Sequence, residues 1–205
     1  SRSAAIVRRM EQEERCRDFY FRTGCPLHAC YPLAKLVWMK ENRPNLFARM
    51  AHIGSIKDYM FRLMTGEWVT DKSVASSSGL YNELEEAWDC DILAYIGIEE
   101  TQLPKVVSTT YSAKLIKDTA QRLGLPEGLP VVIGATDGVL VNVGIGAVSP
   151  GQLSCTIGTS GAIRMLTEKP RMDKEGRTWC YNLTDDMWVA GGAINNGGII
   201  LRWIR

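Results

Sequence analysis

Three short segments carry residue types that could do chemistry. The first is Gly134-Ala135-Thr136-Asp137-Gly138, where the apolar run Val131-Val132-Ile133 leads into a carboxylate flanked by glycines. Glycine lets the backbone turn sharply and lets a ligand come close. A carboxylate held at a strand end could accept a proton from a substrate hydroxyl during phosphoryl transfer. The same residues also make a common Asp-Gly turn, and locally that plain turn is the better reading. The second segment is Cys155-Thr156-Ile157-Gly158-Thr159-Ser160-Gly161-Ala162, a Gly-Thr-Ser-Gly turn between apolar runs at 153–157 and 162–166. Such a turn could aim backbone N–H groups and two hydroxyls at a phosphate. An ordinary hairpin explains it equally well. It matches neither Gly-x-x-x-x-Gly-Lys-Ser/Thr nor Gly-x-Gly-x-x-Gly. The third runs from Gly191-Gly192 through Asn195-Asn196-Gly197-Gly198 into an apolar stretch from Ile199, expected to be helical. Glycines before a helix N-terminus make an anion site, and an Asn-capped helix start serves as well.

Other reactive types are less promising. His28 and His52 have no triad partners nearby in sequence. The cysteines, at 16, 25, 30, 90, 155 and 180, form no Cys-x-x-Cys pair. His28 lies near Cys25 and Cys30, but the spacing fits no zinc pattern, so no metal site is expected. Free thiols imply a reduced, cytoplasmic protein. The six tryptophans read as core residues.

These segments need elements to position them. Residues 1–22 read as a helix stopped by Gly24, and residues 32–42 as a second helix starting on Pro32 and ended by Arg43-Pro44. Residues 55–65 give the clearest helix. Ser55 and Asp58 make a capping box, and Ile56, Tyr59, Met60, Leu63 and Met64 form an apolar stripe that ends at Gly66. The serine-rich stretch 71–82 reads as a loop, 112–123 as a capped helix closed by Gly124, and 131–133 as a short buried strand. Residues 139–148 are rich in β-branched types, which argues strand.

The chain has 205 residues, 45% hydrophobic and 23% charged, with a net charge of +1. That balance recommends neither nucleic acid nor an anionic membrane as partner. No stretch approaches the roughly 20 apolar residues of a membrane helix. The first nine residues do not have the pattern of a signal peptide. Helices dominate the first part, whereas glycine turns and strands dominate after Pro130. The shift suggests two domains that meet near Ser149.

The order of the segments says more than any one of them. Thr23-Gly24-Cys25-Pro26-Leu27-His28, then Pro32 to Asn42 with Lys35 and Trp38, resembles the Pro-x-x-Lys-x-x-Trp region of FGGY-family carbohydrate kinases. Ile56 to Tyr81, with Gly66, Thr70-Asp71, Ala75-Ser76 and Leu80-Tyr81-Asn82, resembles that family's next block. Gly134-x-x-Asp137-Gly138, Gly158-Thr159-Ser160-Gly161, and Gly191-Gly192 through Trp203 follow in the family's order.

The resemblance implies an α/β, actin-like (ribonuclease H-like) ATPase fold in two domains. Residues 1–148 would be the C-terminal part of the sugar-binding domain and 149–205 the N-terminal part of the nucleotide-binding one. It implies transfer of the ATP γ-phosphate to a sugar or sugar acid, with Mg2+. Asp137 matches the catalytic base. Gly158, Thr159, Ser160 and Gly161 match the phosphate-contacting turn, and Gly198 and Arg202 fall at the nucleotide-proximal helix. His28, Cys30 and Asp137 fall at the sugar pocket, although the family's usual residue at Cys30 is not cysteine. The family has a helix after its catalytic Asp, and that reading is adopted for 139–148. Residues 174–181 and 192–198 look most like the gluconate-kinase branch, with xylulose kinase second. A non-kinase actin-like ATPase or a catalytically dead fragment stands as the alternative, and a homodimer is left open. The family's N-terminal Asp-x-Gly-Thr phosphate loop and its adenosine-binding region are absent. A truncated chain is therefore expected, inactive on its own.

Overall fold

The computed structural model describes residues 2–205, with Leu201 described by its backbone alone. Ser1 lies outside the described residues. In place of one helix over 1–22 there are two, α1 (Ala4–Met10) and α2 (Glu14–Thr23). The reason is phase. A single stripe continued from Ile6 and Met10 would reach Glu13, Glu14 and Arg17, whereas the next buried apolar residues are Cys16, Phe19 and Tyr20. Two axes are needed to bury both sets. Gly24 ends α2 in the left-handed region, φ +65°.

Helix α3 (Pro32–Asn42) starts on its proline as expected and buries Leu33, Ala34, Leu36 and Val37. The short α4 (Pro44–Phe47) follows. Helix α5 (Ile56–Thr65) carries the expected capping box. Ser55 Oγ accepts the Asp58 amide at 3.1 Å, and Asp58 Oδ2 accepts the Ser55 amide at 2.6 Å. Its apolar stripe does not face the core: Ile56 is 79% exposed, and Tyr59, Met60 and Leu63 are also exposed. The buried face is Asp58, Phe61 and Thr65, with Phe61 packed against Val69, Ala113 and Ile133.

Strand β1 (Val69–Asp71) pairs in parallel with β4 (Lys105–Val107). Between them lies α6 (Lys72–Ser76), in a stretch whose composition suggested a loop. Asp71 caps it, and the Ser76 and Ser77 hydroxyls bond back to the carbonyls of Lys72 and Val74. Thus the serines satisfy the backbone of a short helix instead of breaking it. A small ribbon, β2 (Tyr81–Asn82) with β3 (Ala87–Trp88), precedes α7 (Cys90–Ile96), which Asp89 caps. The helix expected over 112–123 is confined to α8 (Lys117–Leu123), because 112–114 is β5 (Ser112–Lys114), paired with β6 (Pro130–Val132). That last strand is less buried than expected: Val132 is exposed, Val131 is half-buried against the core, and only the following Ile133 is fully within it.

The helix adopted after Asp137 is present as α9 (Asp137–Gly144), against the strand that its β-branched residues suggest on their own, and it stops short of residues 145–148. Beyond it four antiparallel strands, β7 (Leu153–Ile157), β8 (Gly161–Thr167), β9 (Trp179–Thr184) and β10 (Met187–Ile194), stand in the order β7-β8-β10-β9. The chain then enters α10 (Ile199–Ile204). Val139 of α9 packs on this sheet with Leu166, Leu183 and Val189. The sheet is sewn to the earlier elements: the Cys180 amide donates to Gly24 O at 2.9 Å, and the Asn182 amide to Ser76 Oγ at 3.1 Å. Thr109 Oγ1 donates to Leu183 O at 2.8 Å. No helix among the described residues is long and apolar enough to cross a membrane.

One seam contact gives stability a pH dependence. Trp188 Nε1 donates to Glu83 Oε2 at 2.8 Å, and Glu83 is buried. Burial pushes its carboxyl up from 4.5 to about 7, and the hydrogen bond from Trp188 only partly offsets that. A carboxyl raised in the fold holds its proton more tightly there than in the unfolded chain. Its contribution is therefore fully present below pH 4.5 and lost as pH rises through about 7. The loss is expected to reach roughly 3 kcal/mol at most. Urea denaturation at pH about 5 and about 8 should show Glu83→Gln flattening this slope. Equal slopes in the two proteins would count against the assignment.

Candidate active site

Asp137 is the first residue of α9, and its side chain is exposed. Carboxylates suit this position, where the free N–H groups of a helix carry partial positive charge. The loop that delivers it is held from behind. Lys57 Nζ donates to Gly134 O at 3.0 Å, and the Thr136 amide donates to Ser73 Oγ at 2.8 Å. Thr136 O in turn accepts the Leu140 amide at 3.1 Å, which opens the helix. Asp137 thus sits on a fixed helix start and faces solvent.

Strands β7 and β8 form the expected hairpin, with Ile157 paired to Gly161 and Gly158-Thr159-Ser160 as its exposed tip. The glycine-rich segment after β10 closes against this tip. The Gly197 amide donates to Thr159 O at 2.8 Å and the Gly198 amide to Gly158 O at 2.7 Å. Thr159 and Ser160, with their hydroxyls, and Gly198 therefore stand together. Gly161 is buried where β8 begins, and Arg202 is exposed on α10. Gly197, part of the glycine-rich segment that the sequence offers as an anion site, has a packing role that the sequence does not disclose. A Cβ there would sit 2.6 Å from Ser160 O and 3.0 Å from Gly158 O, both backbone atoms of the turn. Gly197→Ala is expected to push the tip away, by roughly 1–3 kcal/mol of overpacking. In an enzyme that binds its nucleotide at this tip, the same strain would correspond to a loss of about 5- to 150-fold in affinity, which titration calorimetry would measure.

A wall of aromatic rings connects the other candidates. The His28 ring meets Tyr31 edge-on, with centroids 6.5 Å apart, and the Cys30 amide donates to His28 Nδ1 at 3.2 Å. The hydroxyls of Tyr31 and Tyr181 are 2.6 Å apart, and Tyr181 stacks on Trp179 at 4.6 Å. Trp179 and Tyr181, like Ala135, pack against the buried cluster of Val139, Leu166, Leu183 and Val189. Burial pushes the Tyr31 and Tyr181 phenols up, so both keep their protons. One hydroxyl donates to the other, and the second proton stays available to a ligand oxygen. Sequence reasoning did not pick Tyr31 or Tyr181, because the two are 150 residues apart.

Comparison with known proteins assigns the chain to a family. The sequence profile for the N-terminal domain of the FGGY family of carbohydrate kinases matches residues 1–144, and the chain belongs to this family. It is 41% identical over 206 residues to the gluconokinase of Bacillus licheniformis, covering 100% of this chain and 40% of that protein. Against the xylulose kinase of Bacillus subtilis (strain 168) it is 32% identical over 177 residues, covering 85% of this chain and 36% of the relative. The crystal structure of gluconate kinase from Lactobacillus acidophilus superposes with a TM-score of 0.95 at 30% identity, covering 100% of this chain and 42% of that one. The fold is accordingly the mixed α/β, actin-like ATPase fold of the sugar kinases. The chain spans about two-fifths of the length of these relatives.

Proposed function

We propose that this chain serves an ATP-dependent carbohydrate kinase that phosphorylates a sugar acid, gluconate, with Asp137 as general base. The observation that carries the reading is the placement of Asp137, exposed on a clamped helix start whose helix packs on the sheet bearing the hairpin. In the reaction the acceptor hydroxyl gives its proton to the Asp137 carboxylate, and its oxygen forms the new bond to the γ-phosphorus. The bond from that phosphorus to the bridging oxygen breaks, and ADP leaves. Residues 1–148 would hold the sugar, with His28 and Cys30 at the pocket beside Asp137. Residues 149–205 would hold the nucleotide through Gly158, Thr159, Ser160, Gly161, Gly198 and Arg202.

The hairpin tip fits a phosphate. It is exposed, carries two hydroxyls, and is closed by a glycine position that a Cβ would obstruct. Magnesium characteristically arrives on the substrate phosphates and needs few protein ligands. Gluconate is preferred because identity to a gluconokinase extends over the whole chain at 41%. Xylulose is the second reading, supported by the 32% identity to a xylulose kinase. Gluconate, xylulose, glycerol and ribulose should be compared as acceptors in the enzyme that carries this chain. Gluconate is expected to give the highest kcat/KM. ATP turnover that no sugar stimulates would reject the kinase reading in favour of a plain ATPase.

A further inference from the structure

Asp71 is fully buried at the end of β1. Its Oδ2 accepts Lys57 Nζ at 2.5 Å. Its Oδ1 accepts the amides of Ser73 and Val74, at 3.0 and 3.2 Å, and the Ser73 hydroxyl. Neither side-chain partner stops at the carboxylate. Lys57 Nζ goes on to Gly134 O, and Ser73 Oγ, its proton committed to Asp71, accepts the Thr136 amide. One buried charge therefore fixes two side chains, and each grips one backbone group of the loop that ends at Asp137. Charge-assisted bonds of this kind are stronger and more directional than neutral ones. A buried ion pair is a poor source of stability compared with apolar packing. What this one supplies is position, and it supplies it to three consecutive residues, Gly134, Ala135 and Thr136.

We propose that Lys57, Asp71 and Ser73 are positioning residues for the phosphoryl-transfer step, clamping the loop so that Asp137 stands where the acceptor hydroxyl arrives. This rests on the reading of Asp137 as the base. Displacing a reacting group by about 1 Å costs on the order of 100-fold in rate. In the enzyme that carries this chain, Ser73→Ala and Lys57→Met are each expected to lower kcat about 10- to 100-fold, with KM for ATP within about twofold. Lys57→Arg, which keeps the charge, should recover a large part. In Ser73→Ala the Thr136 amide should exchange with deuterium at least about tenfold faster, while amides of α3 and α7 keep their protection. The Asp71→Asn variant carries a greater risk of misfolding, so the test relies on the other two.

The proposal is overturned if kcat is unchanged while Thr136 exchange accelerates, or if Thr136 stays protected in Ser73→Ala. It is also overturned if activity falls only in step with the folded fraction. Failure of the base assignment looks different: Asp137→Asn would leave turnover intact, while the exchange measurement would still judge the clamp.

Discussion

Asp137→Asn is expected to lower kcat for sugar phosphorylation by about 100- to 10,000-fold, the usual range for removing a general base. Asparagine has nearly the same shape and cannot take up the hydroxyl proton. The side chain is exposed, so the exchange opens no cavity and strands no buried partner. Its structural cost is the loss of one favourable charge at the start of α9, about 0.3–1 kcal/mol. The fold should therefore persist, with a melting temperature lowered by no more than a few degrees. ATP affinity should stay within about twofold, because the hairpin tip and its glycine closure lie on other elements. Rapid-quench measurement of the chemical step, with calorimetric titration of ATP, separates the two effects. A kcat within about threefold of the parent would refute Asp137 as the base.

How much of this could be read from sequence depends on the distance over which each feature is decided. Glycine-stopped helices, the capping box at Ser55 and Asp58 and the 153–166 hairpin are local, and the residues state them outright. Asp137 and the 158–161 turn were visible as types in a pattern, though either could have been a plain turn. The ordered blocks favour the functional reading, which stays a proposal, and only they chose helix over strand for α9. Features settled by distant partners were hidden. The stripe of α5 defined a helix, but its buried face follows Phe61 and the strands it meets, not the greater number of apolar residues. Residues 112–114 became a strand because 130–132 lies beside them. The clamp behind Asp137 joins Lys57 to a carbonyl 77 residues away, so neither residue type nor spacing could disclose it.

The same distinction sets the stability effect of Gly24→Ala. Gly24, Gly66 and Gly124 all end helices in the left-handed region, with φ of +65°, +82° and +67°. An alanine Cβ would meet nothing within 4 Å at Gly66 or Gly124, so those substitutions should cost only the backbone strain, about 1 kcal/mol each. At Gly24 the Cβ would lie 2.4 Å from Cys180 O and 3.1 Å from Cys180 Cβ. Relief requires α2 and β9 to part, which also stretches the 2.9 Å bond from the Cys180 amide to Gly24 O. Overpacking of roughly 1–3 kcal/mol and a weakened hydrogen bond of about 1 kcal/mol add to the strain, for about 3–5 kcal/mol in all. Urea midpoints of the three variants at constant m-value test this, since Gly66→Ala and Gly124→Ala supply the purely conformational cost. If Gly24→Ala falls with those two, the seam is looser than the backbone geometry requires. If it falls well below them, the junction of α2 with β9 is a rigid contact. Tyr181, one residue beyond Cys180, would then be strained with it, and its 2.6 Å contact with the Tyr31 hydroxyl would be the next to loosen.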